Sequence, residues 1–245
     1  MQPDSSPMVD IHCHVLPDID DGARSWEIAE SMCALALADG IGHIVATPHA
    51  NSKYHYDREA FSALLETLRE KTGNKLTFSL GCDFHLSYDN LEELFKDPSK
   101  FVIGHTKYFL IELSDFALPP NYQQLLFRFR SELGLIPILT HPERYPMLQQ
   151  QPQSVLRWID GGCLVQVTAN SLTGHWGRRA QSAALWLLKN HAIHIVATDA
   201  HDTKHRPPVL SKALNEASKE LGADMARRLV VDNPRAIVEN REITP

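Results

Sequence analysis

Two histidines separated by a single residue are the first side chains along the chain that could bind a metal ion. His12 and His14 come at the end of an apolar run, Met8–His12, that is typical of a buried β-strand. Side chains two positions apart on an extended strand leave the same face, so the two imidazoles could bind one ion together. Cys13 points to the other face and is a weaker candidate. A His-x-His pair alone is weak evidence for a metal site.

Seven further residues with metal-binding side chains lie in short polar motifs elsewhere in the chain. They are Asp21, His49, Asp83, Glu112, His141, Asp199 and His201. With the first pair they make five histidines and four carboxylates, more than one tetrahedral zinc ion requires. Two or three ions, some bridged by a carboxylate, would use the whole set. Mixed imidazole and carboxylate ligands suit manganese, iron or zinc better than copper or calcium.

Each of these motifs also has an ordinary structural explanation. Asp21 before Gly22 is typical of a turn, because short polar side chains and glycine both favour turns. His141 before a proline could simply end a strand, and Asp199 could cap a helix. A choice between these readings depends on where the motifs lie in the fold.

Short apolar runs alternate with longer helical stretches, which is the pattern of parallel strands joined by crossover helices. The predicted strands are Met8–His12, His43–Ala46, Thr77–Gly81, Tyr108–Leu113, Ile136–Leu139, Leu164–Val167 and His194–Ala197. The predicted helices are Ser25–Ala38, Asp57–Lys71, Asn90–Phe95, Tyr122–Glu132, Gln153–Ile159, Arg178–Lys189, Pro208–Leu221 and Asp224–Val231. This unbroken series favours a closed or nearly closed barrel, with residues 1–7 as a flexible lead-in and residues 8–245 as one domain.

The candidate ligands share one position in this scheme. All nine, and the two arginines Arg144 and Arg206, lie at or just after the carboxyl end of a predicted strand. Enzymes built on α/β barrels place their active sites at that end. Residues with only a structural role have no reason to collect there, so the shared position favours a metal centre over separate local roles.

The composition limits the partners and location of the chain. Lys plus Arg total 24 and Asp plus Glu total 30, and the net charge of −6 argues against broad nucleic-acid binding. Bound metals reverse the local charge, so an anionic substrate stays possible. The sequence has no apolar run of about 18 residues and no recognisable secretory signal. These features predict a cytoplasmic protein that does not insert into membranes, with its cysteines reduced and mostly buried.

As a set, the motifs resemble the polymerase and histidinol phosphatase (PHP) family over nearly the whole chain. The matching segments are Asp10-Ile11-His12-Cys13-His14, Asp20-Asp21-Gly22, Thr47-Pro48-His49, Gly81-Cys82-Asp83, Glu112, His141-Pro142-Glu143-Arg144, Thr198-Asp199-Ala200-His201 and Asn233-Pro234-Arg235-Ala236. Within that family the chain is most similar to the bacterial tyrosine-protein phosphatases of capsular and extracellular polysaccharide operons. Tyr145 after the His-Pro-Glu-Arg motif, and Arg206 shortly after the Asp-x-His motif, carry this closer similarity.

The resemblance implies a distorted (β/α)7 TIM-like barrel and three divalent metal ions, with manganese expected and iron or zinc as alternatives. Carried over by position, it assigns His12, His14 and Asp199 to the first ion, Glu112 and His141 to the second, Asp83 as a bridge between these two ions, and Asp21, His49 and His201 to the third. Arg144 and Arg206 would bind the substrate phosphate, and Asp10 would orient a ligand.

One position departs from the family pattern. The family usually has glutamate where this chain has Asp83, and aspartate is one methylene shorter. The bridge is therefore expected to be displaced, weaker or made through water. His85 lies two residues further on and is a weaker candidate for the same face.

The function implied by these residues is hydrolysis of a phosphomonoester by in-line attack of a hydroxide that bridges two metals. The substrate implied by the resemblance is a phosphotyrosine protein, a tyrosine kinase of polysaccharide biosynthesis or export. None of the four cysteines has an arginine six residues later, which excludes the Cys-x5-Arg route of other tyrosine phosphatases. The alternatives are a histidinol-phosphate or other small-molecule phosphatase, a regulatory metal-binding protein with little turnover, and a nuclease.

Overall fold

A computed structural model of the chain describes residues 6–113 and 121–243. Its strands are β1 (Met8–Cys13), β2 (Ile41–Ala46), β3 (His49–Ala50), β4 (Thr77–Leu80), β5 (Asp83–His85), β6 (Tyr108–Glu112), β7 (Ile136–Thr140), β8 (Leu164–Thr168) and β9 (Ile195–Ala197). Its helices are α1 (Trp26–Ala38), α2 (Arg58–Lys71), α3 (Tyr88–Lys96), α4 (Tyr122–Ser131), α5 (Pro146–Gln150), α6 (Leu156–Asp160), α7 (Ala169–Leu172), α8 (Gly177–Lys189), α9 (Ser211–Leu221), α10 (Ala223–Arg227) and α11 (Asn233–Val238). The first five residues of the predicted lead-in lie outside the described residues.

The strands form two parallel sheets, which confirms the predicted α/β class. One sheet has the order β1-β2-β4 and the other β3-β5-β6-β7-β8-β9. The sheets meet where two strands are briefly interrupted, at Thr47-Pro48 between β2 and β3 and at Gly81-Cys82 between β4 and β5. Pro48 has no N–H to donate to a ladder, which accounts for the first interruption.

Hydrogen bonds continue across these interruptions. The Thr47 N–H donates to the Cys13 carbonyl at 2.9 Å, and the Asp83 N–H donates to the Pro48 carbonyl at 3.0 Å. An isolated parallel bridge also links Cys13 of β1 to Ala200, just after β9. The first and last strands of the chain are therefore neighbours.

The parallel register brings the carboxyl ends of the central strands level with one another. His49 of β3 pairs with Asp83 of β5, and His85 of β5 pairs with Glu112 of β6. Thr140 at the end of β7 pairs with Gln166 of β8. Polar residues far apart in the sequence are thus placed side by side at one edge.

The apolar residues form two clusters that hold the strands in place. The larger cluster packs the helices against the sheets and includes Cys13, Cys33, Cys82 and Cys163, all buried and unpaired as predicted. The smaller cluster joins strands of both sheets, and its strand residues are Val9, Ile11, Val45, Tyr108, Leu110, Ile138, Ile195 and Ala197. Strands from the two sheets therefore share one apolar core.

Local sequence signals set several helix boundaries. The Ser25 hydroxyl accepts a hydrogen bond from the Ile28 N–H at 3.4 Å and caps α1, while Gly40, with φ of 91°, follows its end. Asp57 caps α2 in the same way through the Ala60 N–H at 3.0 Å. Within the described residues, no helix is both long enough and apolar enough to cross a membrane.

The predicted boundaries differ from the structure in a few places. Strands β3 and β5 and helices α5, α7 and α11 were not predicted, since elements of two to six residues are too short to show a period. The predicted helix Gln153–Ile159 is a 3-10 turn, Pro152–Val155, followed by α6. The predicted helix Asp224–Val231 is α10 followed by a π-helical segment, Arg228–Asp232.

Candidate metal centre

All nine predicted ligands converge at the carboxyl ends of the strands. They form four overlapping groups, and within each group the possible ligand atoms lie within 4.8 Å of one another. The groups are His12 with His14 and Asp199; His12 with Asp83 and His141; His49 with Asp83 and Glu112; and His14 with Asp21, His49 and His201. Cys13 is in none of them. We use the term ligand cluster for these nine residues.

The first predicted set comes together as a group. His12 lies in β1 and His14 directly follows this strand, and backbone hydrogen bonds from these residues to the segment after β9 bring Asp199 beside them. Asp199 Oδ1 lies 3.4 Å from His12 Nε2 and 3.5 Å from His14 Nε2. Asp199 has φ of 52°, a left-handed conformation that aspartate tolerates better than most residues.

Asp83 lies at the centre of the ligand cluster despite its short side chain. Its Oδ2 is 3.4 Å from His12 Nε2 and 3.3 Å from His49 Nδ1, so it belongs to two groups. The side chain is 1% exposed, and neither carboxylate oxygen has a hydrogen-bond partner among the described residues. A buried carboxylate that accepts no hydrogen bond is costly, so this position is suited to a cation.

Asp21, His49 and His201 also come together, as the resemblance implied. Asp21 Oδ1 lies 3.3 Å from His49 Nε2 and 3.4 Å from His201 Nε2. His14 joins this group, which the sequence did not predict. Its ring centroid is 3.9 Å from that of His201, so one imidazole borders two groups.

Glu112 connects the remaining residues. Its Oε1 lies 3.7 Å from His141 Nε2, and its Oε2 lies 3.7 Å from both His49 Nδ1 and His85 Nδ1. His141 has φ of 35°, a second left-handed residue in the ligand cluster. His85 contacts Glu112 but belongs to none of the four groups.

Opposite charges determine how the ligand cluster is protonated in the absence of metal. Burial lowers the pKa of His12, but Asp83 and Asp199 outweigh it and raise this pKa to about 9. Burial also opposes the charged form of His49, and Asp21, Asp83 and Glu112 raise its pKa to about 10. The pKa of His201 falls to about 4 because burial and His14 outweigh its carboxylate neighbours. A divalent cation would displace the protons on His12 and His49, so metal binding should release protons.

Three residues support the ligand cluster from behind. The side-chain oxygen Oε1 of Gln166 is 2.9 Å from His12 Nδ1, and Asp20 Oδ2 is 2.8 Å from His14 Nδ1. Both contacts leave Nε2 free to face the ligand cluster, as second partners of metal-binding histidines commonly do. Asp10, the predicted orienting residue, accepts hydrogen bonds from the His12 N–H at 3.4 Å, the Thr198 N–H at 2.9 Å and the Thr198 hydroxyl.

Asp20 also shapes the turn that carries Asp21. Its Oδ2 accepts a hydrogen bond from the His49 N–H at 3.1 Å, and its Oδ1 accepts one from the Gly22 N–H at 2.9 Å. A side chain at Gly22 would meet the His14 carbonyl oxygen at 2.2 Å, so only glycine fits. The sequence indicated a turn at these residues but not this link between three parts of the ligand cluster.

Arg144 and Arg206, the predicted phosphate-binding residues, both reach the ligand cluster. Each donates a hydrogen bond to Asp199 Oδ2, the oxygen opposite the one that faces His12 and His14. The Arg206 Nε atom is buried and has no partner among the described residues. Two guanidinium groups therefore lie beside the candidate metal site, and each has N–H donors that Asp199 does not use.

The donor set fits divalent metal ions. Imidazole and carboxylate groups alternate at short range, and buried polar atoms of Asp83, His49 and His141 lack hydrogen-bond partners within the described segments. Buried polar groups in native proteins almost always have a partner, and these atoms are suited to coordinating a cation. The fold and site define an α/β protein of parallel sheets with residues that could bind metal at the carboxyl ends of its strands.

Comparison with known proteins narrows this class. Residues 8–239 match the family described as "Capsular polysaccharide synthesis, CpsB/CapC", and the chain belongs to that family. The match confirms the resemblance to capsular tyrosine-protein phosphatases found in the sequence and is consistent with the wider PHP family.

Named relatives and a solved structure agree with this assignment. The chain is 32% identical to tyrosine-protein phosphatase YwqE of Bacillus subtilis, covering 96% of this chain and 93% of the relative. It is 29% identical to tyrosine-protein phosphatase CpsB of Streptococcus pneumoniae, covering 96% of this chain and 100% of the relative. A crystal structure from work on YwqE and CpsB, described as unique metal-dependent tyrosine phosphatases, matches with a TM-score of 0.90 and 30% identity, covering 97% of this chain and 96% of that one.

Proposed function

We propose that this chain is a metal-dependent protein-tyrosine phosphatase whose substrate is a phosphotyrosine protein, a tyrosine kinase of polysaccharide biosynthesis or export. The family membership and the names of its relatives support the reaction and the substrate class. The observation that carries the proposal is the contact of Arg144 and Arg206 with Asp199 of the ligand cluster. Two fork-shaped cations beside a metal site are suited to a phosphate group.

Two of the three proposed ligand sets lie within single groups of the ligand cluster, whereas Glu112 and His141 belong to two different groups that share Asp83. His12, His14 and Asp199 would hold one ion; Glu112 and His141 a second, with Asp83 between the two; and Asp21, His49 and His201 a third. Three ions, and manganese as their identity, are part of the proposal. Divalent ions bound there would lower the pKa of water and offset the charge of the phosphate oxygens.

The protein's own groups would bind and orient the substrate. Arg144 and Arg206 would donate hydrogen bonds to the phosphate oxygens through the N–H groups that Asp199 does not use. Because a tyrosyl leaving group has a pKa of about 10, it needs less help from an acid than an alkoxide does. Gln166 and Asp20 would hold the rings of His12 and His14 with Nε2 facing the ions.

We also propose that the two sheets form one closed, distorted (β/α)7 barrel. Joining β2 to β3 and β4 to β5 across their two-residue interruptions reduces the nine strands to seven. The His14 N–H donates to the Ala200 carbonyl at 2.8 Å, and the Asp199 N–H donates to the His12 carbonyl at 2.8 Å. These bonds between the first and last strands support closure, as does the apolar cluster that strands of both sheets share.

The domain boundaries and the location complete the proposal. Residues 8–245 would form a single domain, which is supported by one large apolar cluster that extends from Met8 to Val231. The chain would act in the cytoplasm, where a kinase tail modified on tyrosine is accessible to it. The nine candidate ligands and both arginines belong to this one domain.

The proposal is tested with metal-free protein reloaded with manganese, iron or zinc salts. Reloaded protein should hydrolyse p-nitrophenyl phosphate and lose this activity with chelator. It should then hydrolyse a phosphotyrosine peptide at a higher kcat/KM than histidinol phosphate. If no metal restores turnover, the enzyme proposal fails. If histidinol phosphate is the better substrate, the site is a small-molecule phosphatase instead.

A further inference from the structure

The turn between α7 and α8 places an indole ring against both arginines. Trp176 lies in this turn between Gly174 and Gly177, whose φ angles of 83° and 86° favour glycine. The Cζ atom of Arg144 lies 4.2 Å from the Trp176 ring centroid, and that of Arg206 lies 5.4 Å from it. Both distances are within the roughly 6 Å over which a cation is attracted to an aromatic face.

The two arginines need an anchor besides Asp199. Both guanidinium groups donate to the same carboxylate oxygen, so two like charges lie close together. Asp199 Oδ1 faces the histidines of the ligand cluster, which limits how far this carboxylate can move to follow the arginines. An aromatic face attracts both cations without using any of their N–H donors, and these donors stay available for an anion.

The indole also lines the cavity at the mouth of the site. This cavity has a volume of about 280 Å³, and its walls include Trp176, Arg144, Glu112 and His141. Arg144 and two residues of the ligand cluster therefore face the same space as the indole. A group bound against Glu112 and His141 would be adjacent to a guanidinium whose position Trp176 helps to fix.

We propose that Trp176 is a positioning residue that holds Arg144 and Arg206 together so that both bind one phosphate group. The indole attracts both cations and offsets their repulsion, which lowers the cost of keeping them side by side before the phosphate arrives. The inference rests on the proposed function, since it takes a phosphate as the ligand. It concerns anion binding, however, and can be tested without turnover.

The test compares Trp176→Phe, Trp176→Leu and the wild type, all loaded with metal. Inorganic phosphate is titrated by calorimetry, and KM and kcat are measured with p-nitrophenyl phosphate. Trp176→Leu should weaken phosphate binding and raise KM by roughly 5- to 30-fold, the effect of losing one or two kcal/mol of attraction. Trp176→Phe keeps an aromatic face and should stay within about threefold of the wild type. Metal content, measured by elemental analysis, should be the same in all three.

Matched controls separate positioning from general damage. His175→Ala removes the exposed neighbouring side chain and should leave phosphate affinity unchanged. In a chain that already carries Arg144→Ala and Arg206→Ala, Trp176→Leu should change the remaining affinity less than about twofold, because coupled residues are not additive. If Trp176→Leu does not fold, Trp176→Met supplies a flexible side chain without an aromatic face.

The outcomes are distinct. The positioning role is overturned if leucine and phenylalanine behave alike, or if Trp176→Leu weakens phosphate binding equally without the arginines. It is also overturned if the metal-loaded wild type binds no phosphate. If the wild type binds phosphate but hydrolyses no phosphomonoester, the proposed function fails, while the comparison of phosphate affinities still decides the role of Trp176.

Discussion

Histidines lie near both ends of the parallel strands, and the protein surrounds them differently. Near the amino ends, His43 has Thr77 Oγ1 2.8 Å from Nδ1 and Ser79 Oγ 3.1 Å from Nε2. His194, just before β9, accepts a hydrogen bond from the Val165 N–H at 3.1 Å. Burial lowers the pKa of both histidines to about 4. The protein itself keeps these two imidazoles neutral and gives them hydrogen-bond partners.

At the carboxyl ends, histidines lie among carboxylates, and two buried ring nitrogens make no hydrogen bond to the described residues. His49 Nδ1 and His141 Nδ1 are buried without a hydrogen-bond partner in the described part of the chain. The comparison teaches that residue type does not identify a metal site. A metal site is identified by buried histidines that lie among carboxylates and have a ring nitrogen without a hydrogen-bond partner.

The largest expected effect comes from replacing one histidine at the carboxyl ends of the strands, with one at the amino ends replaced for comparison. His12→Ala should reduce metal content and lower phosphatase activity by roughly a thousandfold or more, because a catalytic metal contributes several kcal/mol. His43→Ala should leave both within about twofold, as expected away from the site. Elemental analysis and p-nitrophenyl phosphate kinetics measure both variants. Equal metal loss in the two variants would contradict the conclusion that the histidines at the carboxyl ends, and not those at the amino ends, bind the metal.

Substitutions of Asp83, at the centre of the ligand cluster, test whether its carboxylate bridges two metal ions. Asp83→Glu restores the residue usual in the family and should keep or raise activity, since its longer side chain reaches the same groups. Asp83→Asn keeps the shape but loses the charge, and should cost roughly a hundredfold or more in activity. Metal stoichiometry and kcat report the result. Collapse of the glutamate variant would mean that the site does not have the family geometry.

A smaller effect is expected from the residues behind the ligands. Gln166→Leu removes the partner of His12 Nδ1 and should weaken metal affinity by about 10- to 100-fold. Competition between the protein and a coloured chelator measures this affinity. Gln153→Leu changes an exposed glutamine in the same way and serves as the control. If both variants bind metal equally well, the support from Gln166 is unimportant.

Much of the site could be predicted because its ligands follow strands in short polar motifs. Each of the nine candidate ligands lies near the end of a strand that an apolar run predicts. Parallel pairing then brings those strand ends together. Periodicity predicted seven of the strands because each shows a clear apolar run. Among the strands of the described residues, β3 and β5, the two short ones beyond the interruptions, gave no such signal.

The supporting contacts could not be predicted, because they join residues with no local signal. Gln166 contacts His12, which is 154 positions away in the sequence. In the sequence, Gln166 lies within an apolar strand and appears as an ordinary core position. Trp176 lies in a stretch whose aromatic residues suggested only core packing, and its contact with two arginines depends on three loops. The place of His14 in two groups is equally non-local, since it depends on ring contacts among three separate segments, those of His14, His49 and His201.

The smallest expected effect is the pH dependence of stability that His194 provides. Its pKa of about 4 in the folded protein lies below the value of about 6.5 expected in the unfolded chain. The unfolded state therefore takes up a proton first as pH falls. Neutral His194 contributes stability that is present above pH 6.5 and is lost as pH falls towards 4, by at most about 1.4 kcal/mol per pH unit.

His194→Gln should flatten this dependence. Free energies of unfolding from urea titrations of metal-free protein at pH 7 and pH 5 should differ less in the variant than in the wild type, by on the order of 1 kcal/mol. The ligand cluster titrates in both proteins, so its contribution cancels in the difference. His105→Gln, at an exposed position, gives the general effect of losing a histidine. If wild type and His194→Gln lose stability in parallel, the protein does not hold its amino-end histidine neutral. The difference between the histidines at the two strand ends would then be supported only by the ligand cluster at the carboxyl ends.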